Sequence, residues 1–234
     1  MKNLTLAFVS LIVTIHVWAL PAQIVIVRHG EKIDDTYHDL SAKGCERAFQ
    51  LTEFFKNYSS TVAIYGQGIK KSTGSIRPLE TIAPTAKMFG LKINNSYLKD
   101  DISAVTNEIM TAKNYDGKTV LISWEHAAII NLASAFGVQL SNQLQLWPGS
   151  VFDQAWIITY PTNDSKKATL QIVAEHVLPT DISNEQSGVA NWGSETTPSD
   201  NGLIVPTEVI KTCANGNQLL DQIVQKLVMK PLPN

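Results

Sequence analysis

The chain has 234 residues, 44% of them apolar and only 17% charged, with a formal charge of −2 from 19 Lys and Arg against 21 Asp and Glu. That apolar content excludes disorder, and neither the net charge nor any basic run offers the footprint of a nucleic-acid or anionic-lipid binder. Two cysteines, Cys45 and Cys213, are too few for a disulfide scaffold and lack the close spacing of a zinc pair.

The first segment is an address. Lys2 precedes an apolar stretch from Leu4 to Leu20 that closes on the small residues Ala19 and Ala22. This order of positive region, apolar region and small residues predicts a secretory signal peptide over residues 1–22, ahead of a mature domain over 23–234. Cleavage after Ala19 and cleavage after Ala22 both suit the pattern; an uncleaved anchor is the alternative. Export, whether periplasmic or fully secreted, would put Cys45 and Cys213 where they can oxidise, with their pairing left open.

Gln23 to Val27 is a continuous apolar run, as expected of a strand buried on both faces. A helical pattern opens at Ser41 with Ala48, Leu51 and Phe55 on one face, and Thr61 to Tyr65 reads as a second strand. Arg77-Pro78 opens a helix, with Pro at a favoured first-turn position, and Gly90 stops it. Asp116-Gly117 is a turn, Thr119 to Ser123 a third buried strand, and a helix carrying Ile129, Leu132, Ala133 and Phe136 runs to Gly137. Val151 to Tyr160 and Ala168 to Val177 read as an added hairpin or edge pair, and Thr180 to Asn201 as a long surface loop. A last amphipathic helix carries Leu219, Leu220, Ile223, Val224 and Leu227. Strands alternating with helices predict one α/β domain, a three-layer sandwich with a mostly parallel sheet and helices on both faces.

In such a sheet, ligands sit at the carboxyl ends of the strands. The first strand runs into Arg28-His29-Gly30-Glu31, the second leads through its loop to Arg77, and the third runs into Trp124-Glu125-His126. Two arginines and two histidines on one edge make a pocket for a dianionic group, because guanidinium forks match phosphate oxygens in pairs. Gly30 lets the backbone approach the anion and offers its amide. Two look-alikes fail. Gly117-Lys118-Thr119 precedes a strand and lacks the first glycine of a phosphate loop, while Gly66 and Gly68 lack the third glycine of a dinucleotide fingerprint.

Val27-Arg28-His29-Gly30-Glu31-Lys32 resembles the signature of the histidine phosphatase superfamily, in its phosphoglycerate-mutase-like branch 1. The likeness extends to Leu40-Ser41 with Lys43-Gly44 and Arg47-Ala48, to Arg77 with Glu80-Thr81, and to Val120 through His126. It spans Gln23 to Ile158. The resemblance implies that His29 is a nucleophile that becomes phosphorylated, and that Arg28, Arg77 and His126, with Gly30, hold the phosphoryl group. It also implies a carboxylic acid that protonates the leaving alcohol and then activates water, with no cofactor and no metal. Asp100 and Asp101 stand where this branch places the acid, and Glu125 is a third candidate. In the acid-phosphatase branch an Asp follows the second His, but here Ala127 does.

These readings lead to an exported phosphomonoesterase acting on a small phosphorylated substrate, free of the membrane once its leader is removed. A phosphate-binding or interaction protein of the same fold that has lost its acid is the alternative, and a phosphoglycerate-type mutase a more distant one.

Overall fold

The computed structural model describes residues 20–71, 74–140, 147–162, 164–181 and 216–233. The leader up to residue 19, most of the long loop and Cys213 lie outside the described residues, whereas Cys45 is buried in helix α1.

Six strands form one sheet: β1 (Gln23–Arg28), β2 (Thr61–Gly66), β3 (Ile93–Asn94), β4 (Thr119–Trp124), β5 (Gln154–Thr159) and β6 (Thr169–Ala174). Their order is β3-β2-β4-β1-β5-β6. The β2/β3, β2/β4 and β1/β4 pairs are parallel, while β5 joins β1 antiparallel and carries β6 as its hairpin partner. The expected edge pair is this hairpin, and β3 is a two-residue strand too short to show in the sequence pattern.

Alternation along the buried strands builds two cores. Ile24 and Ile26 of β1, Val120, Ile122 and Trp124 of β4, and Trp156 and Ile158 of β5 face one side. They pack there against Val105 and Ile109 of α3 (Ile102–Thr111) and Ile129, Leu132 and Ala133 of α4 (His126–Ala135). Val25, Val27, Ile64 and Leu121 face the other, against Leu51 and Phe55 of α1 (Ala42–Phe55), Leu79, Ile82 and Ala86 of α2 (Arg77–Phe89) and Ile223 and Val224 of α5 (Gly216–Leu227). Strands with apolar residues on both faces need cover on both, and the helices supply it. No described helix is long and apolar enough to cross a membrane.

The helix ends follow from local chemistry. Ser41 caps α1, its hydroxyl accepting from the Gly44 amide at 3.1 Å, and Gly90 closes α2 with φ of 66°. Topology then places the candidate site. β1 and β4 are neighbours, yet the helix that follows β1 covers one face and the helix that follows β4 covers the other. Their carboxyl ends therefore part at a topological switch point, where a crevice opens.

Gly44, in the first turn of α1, lies on the backbone that leaves β1. A Cβ there would stand 2.3 Å from the Glu31 carbonyl oxygen and 2.8 Å from its nitrogen, both backbone atoms that cannot swing aside. Gly44→Ala is expected to cost about 2 kcal/mol or more by overpacking, read as a lower denaturant midpoint with an unchanged slope.

Candidate active site

His29 and His126 stand on the two sides of the switch point. His29 follows β1 directly, and its backbone amide donates to the Trp124 carbonyl of β4 at 3.1 Å. His126 is the first residue of α4, where unpaired helix amides gather. The two rings lie 6.4 Å apart, centroid to centroid, at 77°.

His29 is only 4% exposed, and its Nδ1 is 2.8 Å from the Gly30 carbonyl oxygen. A carbonyl can only accept, so Nδ1 carries the hydrogen and Nε2 keeps its lone pair. Burial lowers the ring's pKa to about 4, and the charges of Arg28 and Arg77 and the His126 ring act in the same direction. At neutral pH His29 is thus an uncharged imidazole in a cationic neighbourhood, the form that attacks an electrophile.

Arg28 is 2% exposed, and burial lowers its pKa to about 10, which leaves it cationic at neutral pH. Its Nη1 donates to the carbonyls of Pro148, Gly149 and Val151 at 3.1, 2.9 and 2.7 Å. The Phe152 ring lies against the guanidinium, 3.7 Å from ring centroid to Cζ. Trp147 stacks on Trp156 in the core and donates its Nε1 hydrogen to the Val151 carbonyl, so the 147–152 segment is anchored beneath and held by Arg28 above. Gly149 adjoins His126, since a Cβ there would lie 3.7 Å from Nε2. Arg77 at the start of α2 is held similarly: Nε donates to the Asp39 carbonyl at 3.3 Å, and Nη2 to the carbonyls of Asp34, at 3.2 Å, and Tyr37.

Gly30 differs from its expected role. Its amide donates to Thr81 Oγ1 at 2.8 Å, and that hydroxyl donates in turn to the Arg77 carbonyl at 2.8 Å. The amide is therefore committed to α2 and not offered to an anion. Space explains the glycine instead, because a Cβ would come within 3.0 Å of the Gly44 carbonyl oxygen.

The carboxylates divide. Asp101 is exposed at the residue before α3, and its Oδ2 turns back to accept from the Leu98 amide at 2.8 Å without bonding a helix amide. Asp100 is exposed beside it. Among the described residues, neither forms a hydrogen bond or ion pair with His29, Arg28, Arg77 or His126. Both line a cleft of about 380 Å³ with Gln67, Lys99 and Ser75. Glu125 is nearer to the histidines: Oε1 is 3.4 Å from His126 Nδ1, and Oε2 is 3.0 Å from Lys99 Nζ. Burial would raise the pKa of Glu125, but Lys99 outweighs burial and holds it below the usual range, so the group is ionised. Burial lowers the pKa of His126, with Arg28 acting the same way.

The spacing of the sequence motifs did not reveal Lys99 or Gln67, and it marked Arg47 without giving it a role. Gln67 Oε1 accepts from the Glu125 amide at 3.1 Å and joins the cleft to the helix start. Arg47, 2% exposed, grips Glu31 through Nε and Nη2 at 3.0 and 2.8 Å. It also binds both oxygens of Asp181, at 3.0 and 2.7 Å, and reaches Glu175 at 3.4 Å. Burial works against its charge, but the bonds to Glu31 and Asp181 prevail and raise its pKa; burial pushes Glu175 well up. The network fixes the segment beyond β6 to the residue that follows His29-Gly30.

No family model and no curated protein matches the sequence. In fold, the chain is similar to the protein histidine phosphatase SixA complexed with tungstate: 14% identity, TM-score 0.44, covering 65% of this chain and 97% of that one. A mycobacterial glucosyl-3-phosphoglycerate phosphatase is similar at 12% identity and TM-score 0.47, with coverage of 65% and 97%. A further structure, mycobacterial hydrolase 2, covers 84% of this chain and 97% of its own at 11% identity and TM-score 0.46. These likenesses concern the fold, and the chemistry is read from the residues.

A pH dependence follows from His29. Its folded pKa of about 4 lies below the ordinary value of 6.5, so the unfolded chain takes up the proton first as pH falls. Stability is expected to be full above pH 6.5 and to decline by on the order of 3 kcal/mol towards pH 4 through this group. Denaturant titrations across that range should show His29→Gln losing less than the parent chain.

Proposed function

We propose that this protein is a phosphomonoesterase working through a phosphohistidine at His29, on a small phosphorylated substrate. The observation that carries the reading is the 2.8 Å contact of His29 Nδ1 with the Gly30 carbonyl oxygen, which sets the tautomer. With Nδ1–H held by the Gly30 carbonyl, the Nε2 lone pair belongs to a ring kept neutral between Arg28, Arg77 and His126.

In the proposed reaction Nε2 attacks phosphorus in line, the bond from phosphorus to the ester oxygen breaks, and its electron pair leaves with the alkoxide, which takes up a proton. Positive charge growing on the imidazole is met by the Gly30 carbonyl at Nδ1. Arg28, Arg77 and His126 stabilise negative charge on the equatorial oxygens once the phosphoryl group replaces the backbone carbonyls on the guanidinium groups. Water then attacks the phosphohistidine and frees phosphate and His29. We assign the activation of the attacking water to Glu125, which is ionised and touches His126 whereas Asp100 and Asp101 stand along the cleft, and the leaving alkoxide takes its proton from water in that open cleft. That cleft, walled by Gln67, Lys99, Asp100 and Asp101, is the proposed seat of the leaving group.

Export is part of the proposal. Leu20 packs against the core and its carbonyl accepts from the Gly117 amide at 2.9 Å, while the Ala22 amide donates to Lys118 at 2.8 Å. Cleavage after Ala19 keeps these bonds and cleavage after Ala22 would remove them, which favours the former. Mass spectrometry of the exported protein is expected to find Leu20 at its N-terminus; retention of Met1 would refute the leader.

The catalytic reading is tested by hydrolysis of p-nitrophenyl phosphate with chelator present. The parent chain should release phosphate, His29→Ala should lose the activity, and Arg77→Ala should fall by roughly 100- to 1000-fold. Glu125→Gln should slow turnover more than Asp101→Asn does. An alkaline quench, which spares the nitrogen–phosphorus bond, should trap one phosphoryl group per chain on His29. Phosphate binding without release would favour the acid-deficient binding protein, and activity retained in His29→Ala would overturn the mechanism.

A further inference from the structure

On the far side of the loop that holds Arg77, three carboxyl groups converge between α2, α5 and the loop before α1. Asp39 lies in that loop, Glu80 in the first turn of α2 and Asp221 in α5, and one oxygen of each lies within 4.8 Å of the others. Glu80 is fully buried. Its Oε2 accepts from the Leu40 amide at 2.8 Å, while Oε1 is buried with no hydrogen-bond partner. Among the described residues, none of the three forms an ion pair with Lys, Arg or His. Three neighbouring carboxyl groups and an unsatisfied buried oxygen call for a positive charge at the cluster itself, since Arg77 acts on Glu80 without forming an ion pair with any of the three.

We propose that Asp39, Glu80 and Asp221 bind a hard divalent cation, calcium in preference to magnesium. The donors are all carboxylate oxygens, with no thiolate or imidazole to select a softer metal. Calcium takes about six to eight oxygens in a flexible geometry and is held readily by protein carboxylates. Magnesium demands a strict octahedron and gives up its waters reluctantly, so it is seldom held by a set of protein carboxylates alone. A proton is the competing occupant: burial first, then Asp39 and Asp221, push Glu80 up to about 8.

The location gives the ion a structural role, outside the phosphoryl transfer itself. The Asp39 carbonyl accepts from Arg77 Nε, and the His38 carbonyl accepts from the Ile76 amide at 3.1 Å. An ion on Asp39, Glu80 and Asp221 would fasten the loop that holds the Arg77 guanidinium both to the helix carrying Arg77 and to the C-terminal helix.

The test uses the full chain after chelator treatment and dialysis. Calorimetric titration with calcium chloride is expected to give one site per chain. At 100 times the dissociation constant, calcium should raise the thermal midpoint by roughly 5–10 °C. Asp221→Asn and Asp39→Asn, checked by circular dichroism for an intact fold, should each lose the binding heat and the shift. The absence of heat and shift in the parent chain would overturn the proposal and leave a proton as the occupant. An undiminished response in both variants would overturn the assignment to these residues, and a response to magnesium alone would overturn the choice of calcium. Every readout is binding or stability, so the outcome stands apart from that of the phosphatase assay.

Discussion

The parallel register of β1 on β4 is the constraint on which the candidate site depends. Val27 lies opposite Ser123 and Arg28 opposite Trp124, and the ladder ends with the His29 amide on the Trp124 carbonyl. Because side chains alternate along a strand, a slip of one residue would exchange the two cores and turn every group at the strand ends to the opposite face. Ile24 and Ile26 against one helical layer and Val25 and Val27 against the other make that slip prohibitive. Two fully buried apolar faces thus position two histidines that arise nearly a hundred residues apart. The antiparallel β5, clamped to the far side of β1, prevents the pair from shearing.

Around this frame the protein balances charge by proximity and not by number. Arg47 is shared among Glu31, Asp181 and Glu175, an arrangement whose Coulombic gain must cover the desolvation of four groups. Its value lies in placement: Glu31 is covalently next to the carbonyl that holds His29 Nδ1, and Asp181 receives the amides of Val177 and Leu178 at 3.0 and 2.9 Å. A segment far along the chain is thereby tied to the peptide that sets the histidine's tautomer.

Most of the architecture was legible from local pattern, for physical reasons. Apolar runs mark β1, β2 and β4 because both faces of each strand are covered, and Ser41, Pro78 and Gly90 mark helix ends because capping is local chemistry. His29, Arg28, Arg77 and His126 were legible because they follow strands or open helices. What depends on distant contacts was not. The capture of the Gly30 amide by Thr81, the pairing of Lys99 with Glu125, and the meeting of Asp39, Glu80 and Asp221 all join segments that the fold alone brings together. Motif spacing points to Asp100 and Asp101, and the structure leaves both exposed along the cleft, with Asp101 bonded to the Leu98 amide of its own turn.

The backbone carbonyls gathered on Arg28 and Arg77 make anion capture an exchange and not an addition. Each guanidinium is already solvated by its own protein: Arg28 by the carbonyls of Pro148, Gly149 and Val151, Arg77 by those of Asp34, Tyr37 and Asp39. An incoming group must outbid neutral dipoles that are tethered and therefore pay little entropy to return. In the proposed reaction weakly basic monoanions would lose that contest, whereas a doubly charged phosphoryl group would win it. The selectivity filter is in this sense written in the main chain of two loops, and a change in their length would alter which anions are admitted while leaving every charged side chain in place.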